Sequence, residues 1–371
     1  MAKNIVICCD GTGNEFGSEN SNVVNLYRTL VQDRGQVCYY HPGVGTEGSL
    51  STRNAFQTAW ATWMGLAFGQ GLPERVGDAY RFLMDNYEED DNIFMFGFSR
   101  GAYTVRSLAA LISMFGLLQA GNQGLIPYVL KMYALKSRWT KGSGKVFEVA
   151  TDFKSSFSRE VTVHCVGVWD TVSSIGMIWD PIKLAYTART YKMNHGRHAV
   201  SIDERRRFFS NNLWGAPFPG QTIKQIWFAG VHSDVGGSYP AAEAGLSQIT
   251  LEWMLCEVVP LGLRVDRVKV AKVLGKTGQQ YPVAPNLAQP IHDSLTLCWK
   301  LLEILPHGYY DAATKKKRWR IPMGARRTIP PGSVFHESVR EKLHVDPTYK
   351  PKNLPEGWEQ CTERAVAFEF K

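Results

Sequence analysis

The sequence contains no run of about 18 consecutive apolar residues, so nothing in it reads as a membrane-spanning helix. It has no C-x-x-C pair, which argues against a zinc cluster. Its seven cysteines, Cys8, Cys9, Cys38, Cys165, Cys256, Cys298 and Cys361, are odd in number and lie mostly in apolar runs. That pattern reads as reduced core thiols rather than a disulfide framework. The first ten residues, MAKNIVICCD, hold one lysine and too short an apolar run for a secretory leader. Internal repeats and low-complexity tracts are also lacking. These absences point to a cytoplasmic protein, with delivery by a signal-independent secretion machine as the open route. They leave no reason to expect a metal or an organic cofactor.

What is present is the patterning of a large folded domain. The chain has 371 residues, 44% of them hydrophobic, and a net charge of +8. A positive balance suits an anionic partner, though it serves solubility equally well. NIVICCDGTGN reads as a buried strand entering a glycine-rich turn, and SNVVNLYRTLVQD as a helix with Val23, Leu26, Tyr27 and Leu30 on one face. QVCYYHPGVGT reads as a second strand. LPERVGDAYRFLMDNY reads as a second helix, striped by Val76, Tyr80, Leu83 and Met84. A third strand and helix follow. Alternation of this kind predicts a largely parallel sheet with helices on both faces. VTVHCVGVWDTV and IKQIWFAGVHSDVGG supply two further strands. The stretches at about 119–160 and 171–222 read as cap-like insertions over the sheet edge. The prolines after Pro260 read as an irregular C-terminal wrap at about 263–371, all within a single domain over 1–371.

The third strand carries the sharpest signal. Gly97-Phe98-Ser99-Arg100-Gly101 is G-x-S-x-G, preceded by the apolar run Ile93 to Phe96 and followed by helical spacing through Val105, Leu108, Ala109, Ile112 and Phe115. Strand, motif and helix together are the context of a nucleophile elbow. There the serine backbone is strained, and Gly97 and Gly101 lie where a side chain would collide with a neighbouring element. The helix N-terminus would aim its positive end at an oxyanion beside Ser99. The expected oxyanion donors are the N–H of Arg100 and an N–H of the first turn, at Gly11 or Thr12.

A serine nucleophile needs a base, and the base needs an orienting acid. The strand ends offer Asp10, Asp170, His232 and Asp234. Two pairings keep the order serine, acid, histidine: Asp170 with His232, or Asp234 with His292. The first is preferred because both residues terminate buried strands read as neighbours. His195, His198, His307 and His344 lie in polar or irregular text and read as exposed. The uncharged segment from Asn54 to Leu72 holds Trp60 and Trp63. It reads either as a buried helix or as a lipid contact at the periphery of a membrane.

CDGTGN, NVVNLYR, PGVGT, GFSRGAYTVRSLA, VGVWDTV and FAGVHSDVGG, in this order, resemble the α/β-hydrolase domain of the type VI secretion lipase effectors, the phospholipase group often called Tle, and its bacterial and fungal relatives. IHDSL, RRTIPPGSVFHESVREKL and YKPKNLP extend the resemblance to about residue 355. It implies an α/β-hydrolase fold and a Ser-Asp-His esterase, with Ser99 as nucleophile, Asp170 as acid and His232 as base. In effector members it implies a phospholipase, with a secretion apparatus and an immunity protein as partners. The expected substrate is a lipid or other carboxylic ester, and no nucleic acid. The competing readings are a small-molecule esterase or thioesterase, and a non-catalytic hydrolase-fold module that binds an anionic partner.

Overall fold

A computed structural model describes residues 2–11, 19–43, 72–138, 144–172, 176–177, 180–181, 187–278, 282–304, 306–311 and 316–370. Its centre is one sheet of eight strands: β1 (Asn4–Cys9), β2 (Gln36–His41), β3 (Asn92–Phe98), β4 (Val163–Trp169), β5 (Met193–Ser201), β6 (Thr222–Phe228), β7 (Val334–His336) and β8 (Thr362–Glu363). The spatial order is β8-β7-β6-β5-β4-β3-β1-β2, and every pairing is parallel. All six residues of β1 are buried, as befits a strand covered on both faces.

Helices cover both faces. On one, α2 (Leu72–Asn86), α3 (Ser99–Phe115), α4 (Ile126–Arg138) and α5 (Gly144–Phe157) pack on Ile5, Ile7, Ile93 and Met95. On the other, α1 (Asn22–Thr29) and three later helices, α6 (His232–Gly236), α7 (Gly245–Val258) and α8 (Arg267–Val273), pack on Val6, Cys8, Phe94 and Phe96. The alternation of β1 residues between these two cores is the period-2 geometry of a strand made visible. A third core joins Val200, Trp227 and Phe335 to Tyr349 and Trp358 of the C-terminal segment.

Three boundaries differ from the sequence reading. The stretch 119–160, read as a cap-like insertion over the sheet edge, holds α4 and α5, which pack on one face of the sheet. The stretch 171–222 holds β5, which lies between β4 and β6, so Asp170 and His232 do not end adjacent strands. Its residues MNHGRHAVS look solvent-facing by composition. Gly196 to Ser201 are nevertheless all buried, with Arg197 Nε donating to Glu257 Oε2 at 2.6 Å and His198 fully enclosed. The C-terminal stretch is not wholly irregular either. It adds α9 (Leu297–Glu303), β7, α10 (Glu337–Val345) and β8 to the fold.

The chain runs from β1 outward to β2, then crosses to β3 on the other side of β1. This reversal opens a crevice beyond the carboxyl ends of β1 and β3, where parallel sheets bind ligands.

Candidate active site

Ser99 stands at that crevice. β3 ends at Phe98 and α3 begins at Ser99, whose φ is +57°. A non-glycine residue there is strained, and the surrounding structure must hold it. The two motif glycines show how. A Cβ on Gly101 would lie 2.1 Å from the Cys9 carbonyl oxygen, and one on Gly97 would lie 2.6 Å from the Ala102 nitrogen. Both obstacles are backbone, so neither can swing aside. The absence of side chains at 97 and 101 lets α3 descend directly onto β1 and presents Ser99 at the turn.

His232 opens α6 and is packed against the residue that precedes Ser99. A Cβ on Gly236 would stand 1.9 Å from the Phe98 ring, so the α6 turn rests on the residue preceding Ser99. The imidazole lies 4.6 Å from the Phe98 ring centroid and meets Phe209 edge-on at 4.7 Å. Its Nδ1 donates to Asp170 Oδ2 at 2.5 Å. Its Nε2 is buried and has no hydrogen-bond partner among the described residues. Burial pulls the imidazole below its usual value, against the opposing pull of Asp170.

Asp170 follows β4 with φ +38° and is fully enclosed. Burial opposes its ionisation, but Arg327 and His232 outweigh burial and hold the carboxyl well below the usual carboxylate range. The Ser201 N–H donates to Oδ1 at 3.0 Å. Arg327 grips both oxygens, at 2.6 and 3.0 Å. His198 Nε2 accepts the N–H of Thr171 at 3.2 Å and so fixes the backbone beside Asp170. Burial, with Arg106 nearby, pulls His198 down to about 3, which keeps it neutral for that task. The expectation that His198 is exposed is therefore corrected.

The other pair also meets, but differently. His292 Nδ1 donates to Asp234 Oδ1 at 2.6 Å, and its Nε2 bonds Glu243 Oε2 at 3.0 Å. Both ring nitrogens face carboxylates. The hydrogen bond to Asp234 above all raises the imidazole, so it favours the doubly protonated form. The ring stacks on Tyr239 at 3.7 Å and borders a cavity of about 350 Å³ that Asp203, Arg326 and Lys350 also line. Asp234 accepts the Val231 N–H at 3.0 Å and ties down the turn that carries His232.

The first turn is organised by Asp10. Its carboxylate accepts the Gly11 N–H at 2.6 Å, the Ser21 hydroxyl at 2.6 Å and the Tyr40 hydroxyl at 3.0 Å. Ser21 in turn caps α1. Asn22 binds the carbonyls of Val235 and Ser247, both at 3.0 Å, and so clasps the α6 loop against α1. Thr12, Trp60 and Trp63 lie outside the described residues.

Sequence reasoning gave no role to Arg327 or Glu204. The only signal was their presence in RRTIPPGSVFHESVREKL and DERRRFF. Glu204 is fully enclosed, accepts the His232 N–H at 3.2 Å, and pairs with Arg206 through both oxygens at 2.8 and 2.9 Å. Among the described residues no cluster of histidine, cysteine and carboxylate groups could hold a metal. No helix among them is long and apolar enough to cross a membrane.

A parallel sheet clad on both faces, with a serine held in left-handed backbone between a buried strand and a helix, defines a protein of the α/β-hydrolase type. Over residues 3–257 the chain matches the family model described as T6SS, Phospholipase effector Tle1-like, catalytic domain, and it belongs to that family. It is 35% identical over 231 residues to the "Uncharacterized protein YEL023C" of Saccharomyces cerevisiae, a match covering 58% of this chain and 33% of the yeast protein. The matched region thus spans one third of that relative's length. An uncharacterised protein from Pseudomonas aeruginosa, known from a crystal structure, aligns over 73% of this chain and 47% of its own at 19% identity, with a TM-score of 0.41.

Proposed function

We propose that this chain is a serine hydrolase that cleaves carboxylic esters of lipids or phospholipids through an acyl-enzyme, with Ser99, His232 and Asp170 as nucleophile, base and acid. The observation that carries the reading is His232. Its Nδ1 is taken by a buried carboxylate, while its Nε2 has no partner among the described residues, in an enclosed aromatic pocket against the residue preceding the strained Ser99. An imidazole so held is neutral, oriented, and able to accept one proton at a defined atom. Ser99 Oγ attacks the ester carbonyl carbon as His232 Nε2 takes its proton. The oxyanion collapses, the alcohol leaves with that proton, and Ser99 is acylated. A water then repeats the sequence and releases the acid.

The oxyanion donor in this reading is the N–H of Arg100, in the first turn of α3. Gly11 already donates to Asp10. Asp234 with His292 is disfavoured because both nitrogens of His292 are engaged by carboxylates.

Contact with a membrane belongs to the same proposal. α9 turns Leu297 and Leu301 outward, 75% and 61% exposed, and Ile304 just after it is 51% exposed, while Trp299 on the inner side of the helix packs on Phe209 beside His232. An outward apolar face with Lys300 exposed within it suits an anionic lipid surface. The test is hydrolysis of p-nitrophenyl esters of graded length and of phospholipid vesicles. Wild type should cleave both, Ser99→Ala neither. Leu297→Gln with Leu301→Gln should lose activity on vesicles while keeping it on a soluble short-chain ester. Inactivity of folded wild type on every ester overturns the enzyme reading. Equal activity of the double variant on vesicles overturns the membrane contact alone.

A further inference from the structure

Arg327 lies 70 residues beyond the end of the family match at residue 257, yet its guanidinium reaches the enclosed carboxylate of the proposed triad. Nη1 donates to Asp170 Oδ1 at 2.6 Å and Nη2 to Oδ2 at 3.0 Å, a two-pronged pairing that fixes the carboxylate plane as well as its position. The same fork binds its surroundings: Nη1 donates to Ser201 Oγ at 2.7 Å, and Nη2 to the carbonyl of Phe209, whose ring abuts His232. The arginine is itself moored. Its carbonyl accepts from Asn353 Nδ2 at 3.1 Å, and the same amide donates to the Ile202 carbonyl at 3.0 Å. Only 7% of the side chain is exposed.

We propose that Arg327 is a positioning residue, delivered by the C-terminal segment, that locks Asp170 in the orientation His232 needs and sets how readily His232 takes a proton. The proposal rests on the Ser99–His232–Asp170 reading. The charge arrangement gives it a direction. Around His232 stand Asp170 at the end of β4, Glu204 after β5, and Arg206 and Arg327 paired with those two carboxylates. His198 on β5 and Arg106 on α3 stand behind Asp170. Each carboxylate near the imidazole therefore carries its own guanidinium. Removing one guanidinium leaves the Asp170 charge uncompensated and favours the imidazolium. The Asp170 carboxylate is then held by the Ser201 N–H and His232 without the fork that fixes its plane, which costs turnover rather than binding.

The experiment compares wild type, Arg327→Gln and Arg327→Lys on a soluble p-nitrophenyl ester across pH 4.5–9, with thermal unfolding as the check on folding. Arg327→Gln should lower kcat by about tenfold or more with KM little changed. Its acid limb of kcat/KM should move to higher pH. Arg327→Lys, which keeps the charge but not the fork, should return the acid limb to the wild-type position while leaving kcat well below wild type. An unmoved limb in Arg327→Gln, or wild-type kcat in Arg327→Lys, reduces Arg327 to a structural tie and overturns the proposal. If Arg327→Gln does not fold, the lysine variant decides on kcat alone. Activity surviving in His232→Ala would instead overturn the triad on which the proposal stands, a result independent of Arg327.

Discussion

His232 and His292 each hold a carboxylate on Nδ1, and their other nitrogens separate them. Nε2 of His232 has no partner among the described residues, whereas Nε2 of His292 is engaged by Glu243. On the proposed mechanism, His232→Ala should cut kcat by about three orders of magnitude or more while the protein stays folded. His292→Ala should cost far less, through loss of the Asp234, Glu243 and Tyr239 contacts. The reverse ranking in a steady-state assay would transfer the base to His292. The pH profile is a second check. A base must be neutral to accept a proton, and burial lowers His232 beneath the ordinary histidine value of about 6.5. The acid limb of kcat/KM should therefore fall below pH 6.5. A limb above that value would mean that Asp170 dominates over burial and its guanidinium.

The elbow is a property of two elements, β3 and α3, and its glycines test it. Gly101→Ala would press a methyl against the Cys9 carbonyl, and Gly97→Ala against the Ala102 nitrogen, with backbone on both sides of each clash. Each should cost more than about 4 kcal/mol, the range of exceptional single substitutions. Gly124→Ala, with nothing within 4 Å of the added carbon, should stay within about 0.5 kcal/mol in the same denaturant titration. Equal small effects at all three positions would contradict the packing described. This element was legible in the sequence because its constraint is local: a buried apolar run, a motif, then helical spacing. β5 was not. Its histidines and Arg197 imitate a surface loop, and Glu257, supplied by α7, together with the carbonyls of Gly196 and Thr222 makes burial of that arginine tolerable. Arg327 was hidden for the same reason, since its partner Asp170 lies 157 residues earlier in the chain. Local pattern reports elements well and reports long-range charge pairing hardly at all.

At the scale of the whole molecule, buried histidines tie stability to pH. Burial holds His198 at about 3 and His336 at about 4, and lowers His232 as well. Below the unfolded value of about 6.5, the unfolded chain takes up these protons more readily than the folded chain does. Stability should therefore fall as pH drops from 7 to 5. His292 is raised and works in the opposite sense, but it is one partly exposed ring against three enclosed ones. Asp170 contributes nothing to this window, because its lowered carboxyl stays ionised in both states above about pH 5. A Tm at pH 5 equal to or above that at pH 7 would contradict this balance. The central claim concerns one atom, the Ser99 hydroxyl oxygen, and fluorophosphonate labelling followed by peptide mapping tests it most directly. The account predicts a single adduct, on Ser99, lost in Ser99→Ala and in His232→Ala. No adduct on folded wild type, an adduct on another serine, or full labelling of Ser99→Ala would contradict it.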